Sequence, residues 1–150
     1  MAQSISQQFA HIIFSTKHRQ PLIIPEIRTE LYSYMGGILK NIDCHPIQIG
    51  GIADHIHILC GMSKKMATID VLEEVKRSSS KWIKTQNSQL SSFYWQDGYG
   101  AFSVGFTQVA AVSKYIQNQE VHHASIDFQR EYLLFLKKYQ IEYNEKYLWD

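Results

Sequence analysis

Hydrophobic residues along the chain follow two kinds of pattern, and the first kind is a short apolar run. Four such runs, at 8–15, 44–51, 54–62 and 99–105, are rich in β-branched and aromatic residues. Runs of this length and composition are typical of β-strands. Only a short turn around Gly51 separates the second run from the third. The pattern therefore predicts four strands, two of them consecutive.

The second kind of pattern repeats apolar residues at the 3.6-residue period of a helix. It extends over 25–41, which opens with a proline suited to a first helical turn, and over 68–84. A third helix is predicted from Thr107, whose hydroxyl can cap it, to about residue 119. A fourth is predicted over 128–139, and an aromatic tail follows it.

The order of these elements is βαββαβα, with the last two helices appended. This order fits an α+β fold of the ferredoxin-like (RRM-like) type. In such a fold, helices pack on one face of an antiparallel sheet, and we expect the other face to be open for chemistry or a ligand. No repeat, low-complexity tract or linker divides the chain, so we expect one domain over 1–150, with the C-terminal helix and tail at about 128–150 appended.

Composition narrows the class of protein. Hydrophobic residues make up 45% of the chain and charged residues 19%, which favours a folded domain over a disordered one. The net charge of +1 gives no overall basic field. The polar N-terminus predicts no signal peptide, and no apolar run approaches the roughly 18 residues of a membrane span. Two cysteines without paired spacing indicate neither a disulfide framework nor a zinc ribbon, so we expect a cytoplasmic protein.

His55 and His57 are the residues most informative about chemistry. Because side chains alternate across a strand, both imidazoles share one face, while Ile56 and Ile58 share the other. Asp54, just before the strand, can orient one of the imidazoles. Such a pair can be half of a metal site, but it also occurs as polar surface or as hydrogen-bonded core. The motif therefore needs support from other residues.

The predicted helix at 107–119 offers a second half. Tyr115 and Gln119 are four residues apart, so they stack on one helical face. They lie at the margin of the apolar stripe formed by Val112 and Ile116, where a side chain can reach over the rim of a sheet. Taken alone, Tyr115 is typical of a packing residue, and Gln119 carries no signal.

Three other histidines are interpreted as structural. His11 shares the parity of Ile13 in the first strand, which predicts a buried imidazole with a hydrogen-bond partner. His122 and His123 follow the tyrosine helix, but adjacent side chains diverge in direction. We therefore predict a polar helix end there rather than metal ligands.

Several blocks together carry a family resemblance, because their order and spacing agree. They are STKHR at 15–19, the pair His55 and His57, FYWQDGYGAFSVG at 93–105, YIQNQ at 115–119 and the C-terminal segment at 128–149. The chain resembles the small HUH-type transposases of the IS200/IS605 class and the related REP-associated tyrosine transposases. The resemblance covers nearly the whole chain.

The resemblance implies an HUH-endonuclease fold and a metal-dependent DNA transesterase. It assigns His55, His57 and Gln119 as ligands of a divalent cation, Mg²⁺ or Mn²⁺, and Tyr115 as the nucleophile. Attack by tyrosine yields a 5′-phosphotyrosine link that conserves the phosphodiester energy for rejoining. The implied substrate is single-stranded DNA with a hairpin near the cleavage site. We therefore expect a transposase that works in the cytoplasm, at the nucleoid.

Basic residues are candidate contacts to DNA phosphates. They are Lys17 and Arg19 after the first strand, and Lys76, Arg77, Lys81 and Lys84 in the second helix. Trp95 and Tyr99 are candidates for stacking on unpaired bases. Acidic neighbours of the helix lysines leave a second interpretation open, in which these side chains form only a solvated face.

The resemblance leaves assembly and activity open to alternatives. We expect a homodimer, which in the insertion-sequence branch has composite sites, whereas the REP-associated branch can act as a monomer. Rival functions are a domesticated hairpin-binding protein without mobility, a replication or conjugation initiator-like nickase and an unrelated metalloenzyme with a histidine pair. The four site residues disfavour a pure binder, and a chain of 150 residues leaves no room for a helicase domain.

Overall fold

The four predicted strands form one antiparallel sheet in a computed structural model, which describes residues 2–150. They are β1 (Phe9–Ser15), β2 (His45–Ile52), β3 (His55–Gly61) and β4 (Gly100–Val104), in the spatial order β2-β3-β1-β4. The two most apolar strands, β1 and β3, lie at the centre, where both sheet faces are covered. This sheet and its helices confirm the predicted α+β fold class.

Two amphipathic helices cover one face of the sheet. α1 (Pro25–Asn41) and α2 (Thr68–Lys84) have the bounds predicted from the sequence. Because β3 alternates its side chains, Ile56 and Ile58 face these helices, whereas His55 and His57 face away. The core on this side also contains the buried residues Ile12, Phe14, Leu31, Met35, Val71 and Val75.

The predicted third helix is divided in the structure. α3 (Val109–Gln117) begins after a single 3-10 turn that contains Thr107, so the predicted start and cap at Thr107 are wrong. At Asn118 the backbone leaves helical geometry, with φ −97° and ψ 20°. The short helix α4 (Gln119–His122) then begins with Gln119. Tyr115 and Gln119 therefore lie on two consecutive helices rather than on one.

The second face of the sheet is also covered, which differs from the open face that the sequence predicts. α5 (Phe128–Lys138) packs Phe128 and Tyr132 against Ile13 and Phe102. α3 covers the part of this face that β2 and β3 form. Both helices carry an apolar stripe, and burying it against the apolar residues of the sheet removes it from water.

The tail is tied to the same side of the molecule. After α6 (Glu145–Leu148), Trp149 packs against the aromatic residues of α5. The backbone carbonyl of Asp150 accepts a hydrogen bond from the Gly98 amide at 2.9 Å. Between residues 2 and 150, no helix combines the length and apolarity that a membrane span requires.

Candidate metal and catalytic site

His55 and His57 lie on the second face of the sheet, beneath the C-terminal helices, and are 0% exposed. Each ring is held through Nδ1 by a neighbouring side chain. The Asp54 carboxylate accepts a hydrogen bond from His55 Nδ1 at 2.7 Å, and His11 Nε2 lies 2.8 Å from His57 Nδ1. The predicted burial and hydrogen bonding of His11 are thus confirmed. Both Nε2 atoms of the pair are left facing the interior.

His11, His55 and His57 differ in pKa because their surroundings differ. Burial lowers the pKa of His57 to about 4, although Glu131 partly offsets the effect. Burial and the nearby His57 lower the pKa of His11 to about 3. Burial also disfavours the charged form of His55, but hydrogen bonds to Asp54 and Glu131 outweigh it and raise the pKa to about 9. At pH 7, His11 and His57 are therefore neutral.

Tyr115 and Gln119 meet the histidine pair within one chain. Gln119 is 1% exposed, and its Oε1 lies 3.0 Å from His55 Nε2. Tyr115 is half-buried at the edge of the same cluster. α3 approaches the sheet closely because Gly50 of β2 has no side chain, and a Cβ there would lie 2.8 Å from the carbonyl oxygen of Ile116. The close contact between α3 and β2 therefore positions both residues.

A buried glutamate that sequence reasoning missed lies at the centre of the cluster. Glu131 of α5 is 1% exposed. Its Oε1 lies 2.9 Å from His57 Nε2 and 3.3 Å from His55 Nε2. Its Oε2 accepts hydrogen bonds from the Tyr115 hydroxyl and the Gln119 amide. The available signal was its position on the buried stripe of a predicted helix, where a charged residue is rare unless it is paired.

His123 belongs to the cluster as well, so the predicted polar helix end is wrong for this residue. Because α4 ends at His122, His123 lies in a turn, where its Nδ1 donates to the Ile126 carbonyl at 2.7 Å. Its Nε2 is buried, lies 3.1 Å from Glu131 Oε2 and has no hydrogen-bond partner among the described residues. His122 is more exposed, and its Nε2 lies 3.1 Å from the Tyr115 hydroxyl oxygen.

The cluster contains a donor set suited to a divalent cation. Ligand atoms of His55, His57, His123 and Glu131 all lie within 4.8 Å of one another. Burial disfavours charge on Glu131, but the proximity of the three histidine rings lowers its pKa well below the usual range. Glu131 is therefore a carboxylate at neutral pH. Imidazole nitrogen together with carboxylate oxygen is a common combination around protein-bound transition metals.

The Tyr115 side chain lines an open cleft of about 370 Å³ between α3 and α5. Apolar residues form most of its walls, and Glu131 and His122 are at the same end as Tyr115. Burial and the Glu131 carboxylate raise the pKa of Tyr115 above its usual range, so its hydroxyl is protonated. The cleft opens onto the Tyr115 side chain. Other lining residues are Ala111, Val112, Leu134, Phe135, Lys138 and Tyr139.

The two basic residues that follow β1 lie near the C-terminal tail. Lys17 pairs with Asp97, with 3.4 Å between Nζ and the carboxylate oxygen. The guanidinium of Arg19 lies 5.5 Å from the centre of the Trp149 ring. Both side chains are partly exposed at the molecular surface.

The basic residues of α2 lie on the sheet face opposite to Tyr115. Lys81 is exposed, Arg77 pairs with Glu74, and the Lys84 ammonium lies 4.3 Å from the Tyr94 ring. The Lys76 ammonium differs, because it donates to the backbone carbonyls of three consecutive residues, Gln96, Asp97 and Gly98. Lys76 therefore holds a loop in place.

The candidate stacking aromatics are not surface residues. Trp95 is 6% exposed and donates its indole N–H to Ser79 at 3.0 Å, so the prediction that it stacks on bases is wrong. Tyr99 is partly buried against the core. Tyr94, the neighbour of Trp95, is the exposed aromatic residue of this segment.

Comparisons with known proteins place most of the chain in one group. Residues 4–119 match the family model described as IS200-like transposase. The ISDra2 transposase TnpA of Deinococcus radiodurans is 23% identical over 114 residues, which cover 73% of this chain and 81% of that protein. The transposase for insertion sequence element IS200 of Salmonella typhimurium is 27% identical over 114 residues, which cover 73% of this chain and 74% of that protein.

Two solved structures share the fold. One, described as a transposase from Deinococcus radiodurans, has a TM-score of 0.62 and 19% identity, over 79% of this chain and 98% of its own. The other is a REP-associated tyrosine transposase bound to a REP hairpin, with a TM-score of 0.61 and 11% identity, over 84% of this chain and 74% of its own.

Proposed function

Because the chain belongs to the family of IS200-like transposases, we propose that it cleaves and rejoins single-stranded DNA near hairpins, through a 5′-phosphotyrosine intermediate on Tyr115. The proposal rests on one observation above all. A tyrosine hydroxyl, a histidine pair and a glutamine converge in one cluster beside an open cleft. A metal-assisted transesterase needs its nucleophile and its ligands within reach of one phosphate.

In the proposed cleavage step, the Tyr115 oxygen bonds to the scissile phosphorus while the bond from phosphorus to the 3′ oxygen breaks. The tyrosine proton passes to an acceptor, and the two acceptors in contact with the hydroxyl are His122 Nε2 and the Glu131 carboxylate. The 3′ oxygen takes up a proton and leaves as a hydroxyl. In the rejoining step, a 3′-hydroxyl attacks the phosphotyrosine and releases Tyr115, so no nucleotide cofactor is consumed.

We propose that His55, His57 and Gln119 hold a divalent cation, Mg²⁺ or Mn²⁺. Such a cation, when bound, supplies positive charge to the phosphate oxygens. Contacts of two of these residues support that role. Asp54 holds the His55 ring, and the Gln119 amide is fixed between His55 and Glu131.

Hairpin DNA is the proposed substrate, partly because one protein of similar fold is bound to a REP hairpin. Lys17 and Arg19 are proposed phosphate contacts close to the C-terminal tail. The basic residues of α2 lie on the sheet face opposite to Tyr115, so we propose that they contact the hairpin stem, away from the cleaved strand. They are Arg77, Lys81 and Lys84, with Lys76 holding the adjacent loop. We propose that the protein acts on this DNA at the nucleoid, in the cytoplasm.

The α2 proposal predicts a measurable salt effect. Replacing Lys81 and Lys84 with glutamate should weaken hairpin binding and reduce the slope of log affinity against log salt by about 1 per residue. Fluorescence anisotropy with a labelled hairpin oligonucleotide, recorded over a salt series, measures both quantities. Lys40→Glu, an exposed lysine at the end of α1, is the matched control. An unchanged slope in the double variant would show that α2 is only a solvated face.

The proposed chemistry predicts a covalent complex between protein and DNA. A pool of 3′-labelled hairpin oligonucleotides with randomised single-stranded flanks, incubated with protein and Mn²⁺, should give a labelled band on a denaturing protein gel. The 3′ label is required because tyrosine stays on the 5′-phosphate side of the break. A chelator should abolish the band, and fully duplex DNA should not give it. Absence of the band from the whole pool, with hairpin binding intact, would contradict the proposed function.

The same experiment separates the transposase from one of its rivals. A hairpin-binding protein without mobility retards the oligonucleotide but forms no adduct. A transposase retards the oligonucleotide and forms the adduct.

The homodimer implied by the resemblance stays a prediction. Within one chain, the Nε2 atom of His57 and the hydroxyl of Tyr115 contact the same carboxylate group, that of Glu131. We therefore propose that each active site is formed within a single chain, rather than as a composite of two subunits.

A further inference from the structure

We propose that Glu131 and His123 are metal ligands in this chain, together with His55 and His57. The inference rests on the metal dependence contained in the proposed function, and it extends the ligand set. Both added residues lie beyond residues 4–119, the part of the chain that matches the family model. The metal centre would thus be completed by the C-terminal segment.

The first argument is the orientation of the His123 ring. Its Nδ1 donates to the Ile126 carbonyl at 2.7 Å, so Nε2 is the ring nitrogen directed at the Glu131 carboxylate, 3.1 Å away. That atom is buried without a hydrogen-bond partner among residues 2–150. A buried ring nitrogen without a partner costs free energy unless something binds it. A cation in the cluster would satisfy it.

The second argument is that all three imidazoles are held in the same manner. His55 is held at Nδ1 by Asp54, and His57 at Nδ1 by the neutral His11, which can accept its proton. Metal-bound histidines characteristically use one ring nitrogen for the metal and the other for a carboxylate, carbonyl or similar partner. Here the three Nε2 atoms converge on the Glu131 carboxylate, where a metal would be held.

The third argument is the position of the Glu131 carboxylate. Its two oxygens lie 2.9–3.3 Å from the Nε2 atoms of His55, His57 and His123. Separations near 3 Å are those expected between ligand atoms that share an ion with bonds of about 2.0–2.2 Å. The carboxylate also supplies the negative charge that the imidazoles lack. Gln119 Oε1, 3.0 Å from His55 Nε2, is placed for a further coordination position.

The enlarged donor set changes the expected metal. Three imidazole nitrogens favour a borderline transition ion such as Co²⁺ or Zn²⁺, whereas Mg²⁺ prefers oxygen ligands and water. We therefore expect selective binding of the transition ions over Mg²⁺.

Co²⁺ titration tests the ligand set without measuring catalysis. The wild-type chain should bind one Co²⁺ and develop visible absorption bands that excess Mg²⁺ does not remove. Glu131→Gln and His123→Gln should each weaken binding by about 100-fold or more, since changing even a residue that only orients a ligand costs 10–100-fold. His45→Gln, which changes an exposed histidine at the start of β2 outside the cluster, should bind as the wild type does. Wild-type affinity and spectrum in both ligand variants would overturn the proposal.

X-ray absorption of the Zn²⁺-loaded wild-type chain gives a second test that does not depend on the folding of any variant. Scattering from three imidazole rings is expected, and a centre with two would overturn the proposal.

The adduct experiment distinguishes the enlarged ligand set from the proposed transposase function. If the chain forms the adduct but the metal is bound by only two imidazoles, the enlarged ligand set is refuted and the proposed transposase function is not. Binding of Co²⁺ as expected, without any adduct, would refute the function alone.

Discussion

Tyr115→Phe should abolish the covalent adduct and reduce strand cleavage by at least about 1,000-fold, because removing a covalent nucleophile eliminates the reaction path itself. The substitution deletes only a hydroxyl at the half-buried edge of the cluster. Glu131 keeps its other partners, the histidines and Gln119, so the fold should persist. Adduct gels and thermal unfolding of the same preparation measure the two quantities.

Tyr139→Phe is the matched control, since Tyr139 lines the same cleft without contacting the cluster. It should leave the adduct intact. An adduct that survives Tyr115→Phe would show that another group is the nucleophile.

Mixing the Tyr115→Phe and His57→Ala proteins tests whether one active site uses residues of two subunits. If each site is formed within one chain, the mixture stays inactive, whereas recovered cleavage would reveal a composite site.

Removing residues 128–150 should unfold the protein or leave it without a cooperative transition. α5 buries Phe128, Tyr132 and Leu136 against Ile13 and Phe102. Each large apolar side chain contributes about 1.5–3 kcal/mol when buried, so losing three costs about 4.5–9 kcal/mol. A domain is stable by only about 5–15 kcal/mol in total. The single domain predicted over the whole chain would then depend on the segment predicted as appended.

Circular dichroism during heating measures the effect of the truncation. A shorter deletion, of residues 143–150, is the control, because it removes α6 and Trp149 but keeps all of α5. It should lower the melting temperature much less. A chain ending at residue 127 that melts as cooperatively as the full chain, at the same temperature, would show that α5 is dispensable.

The helices and strands could be predicted from the sequence because the patterns that indicate them are local. Strand alternation and helix periodicity depend on neighbouring residues, so β1, β3, α1 and α2 have nearly the predicted bounds. The error in the third helix arose where no strong local signal exists. Asn118 is tolerated within a helix by propensity, yet the backbone departs from the helix there, and Thr107 lies in a turn instead of at a cap.

The candidate site likewise has features that local sequence predicts and features that it does not. The common direction of His55 and His57 follows from the alternation of one strand, and the proximity of Tyr115 to Gln119 follows from helical spacing. Trp95 was misjudged because burial depends on what packs above a residue, and Ser79 of α2 supplies its partner.

By itself, the sequence determined the α+β architecture, the histidine pair on one strand face and the family to which the chain belongs. Only the tertiary structure decided that α5 covers that face and carries Glu131 into contact with the pair. It also decided that His123 lies in a turn with its buried Nε2 directed at that carboxylate. Local periodicity can say which side of an element a residue occupies. Which distant element covers that side depends on the burial of apolar surface from the whole chain, and no segment of the sequence specifies that alone.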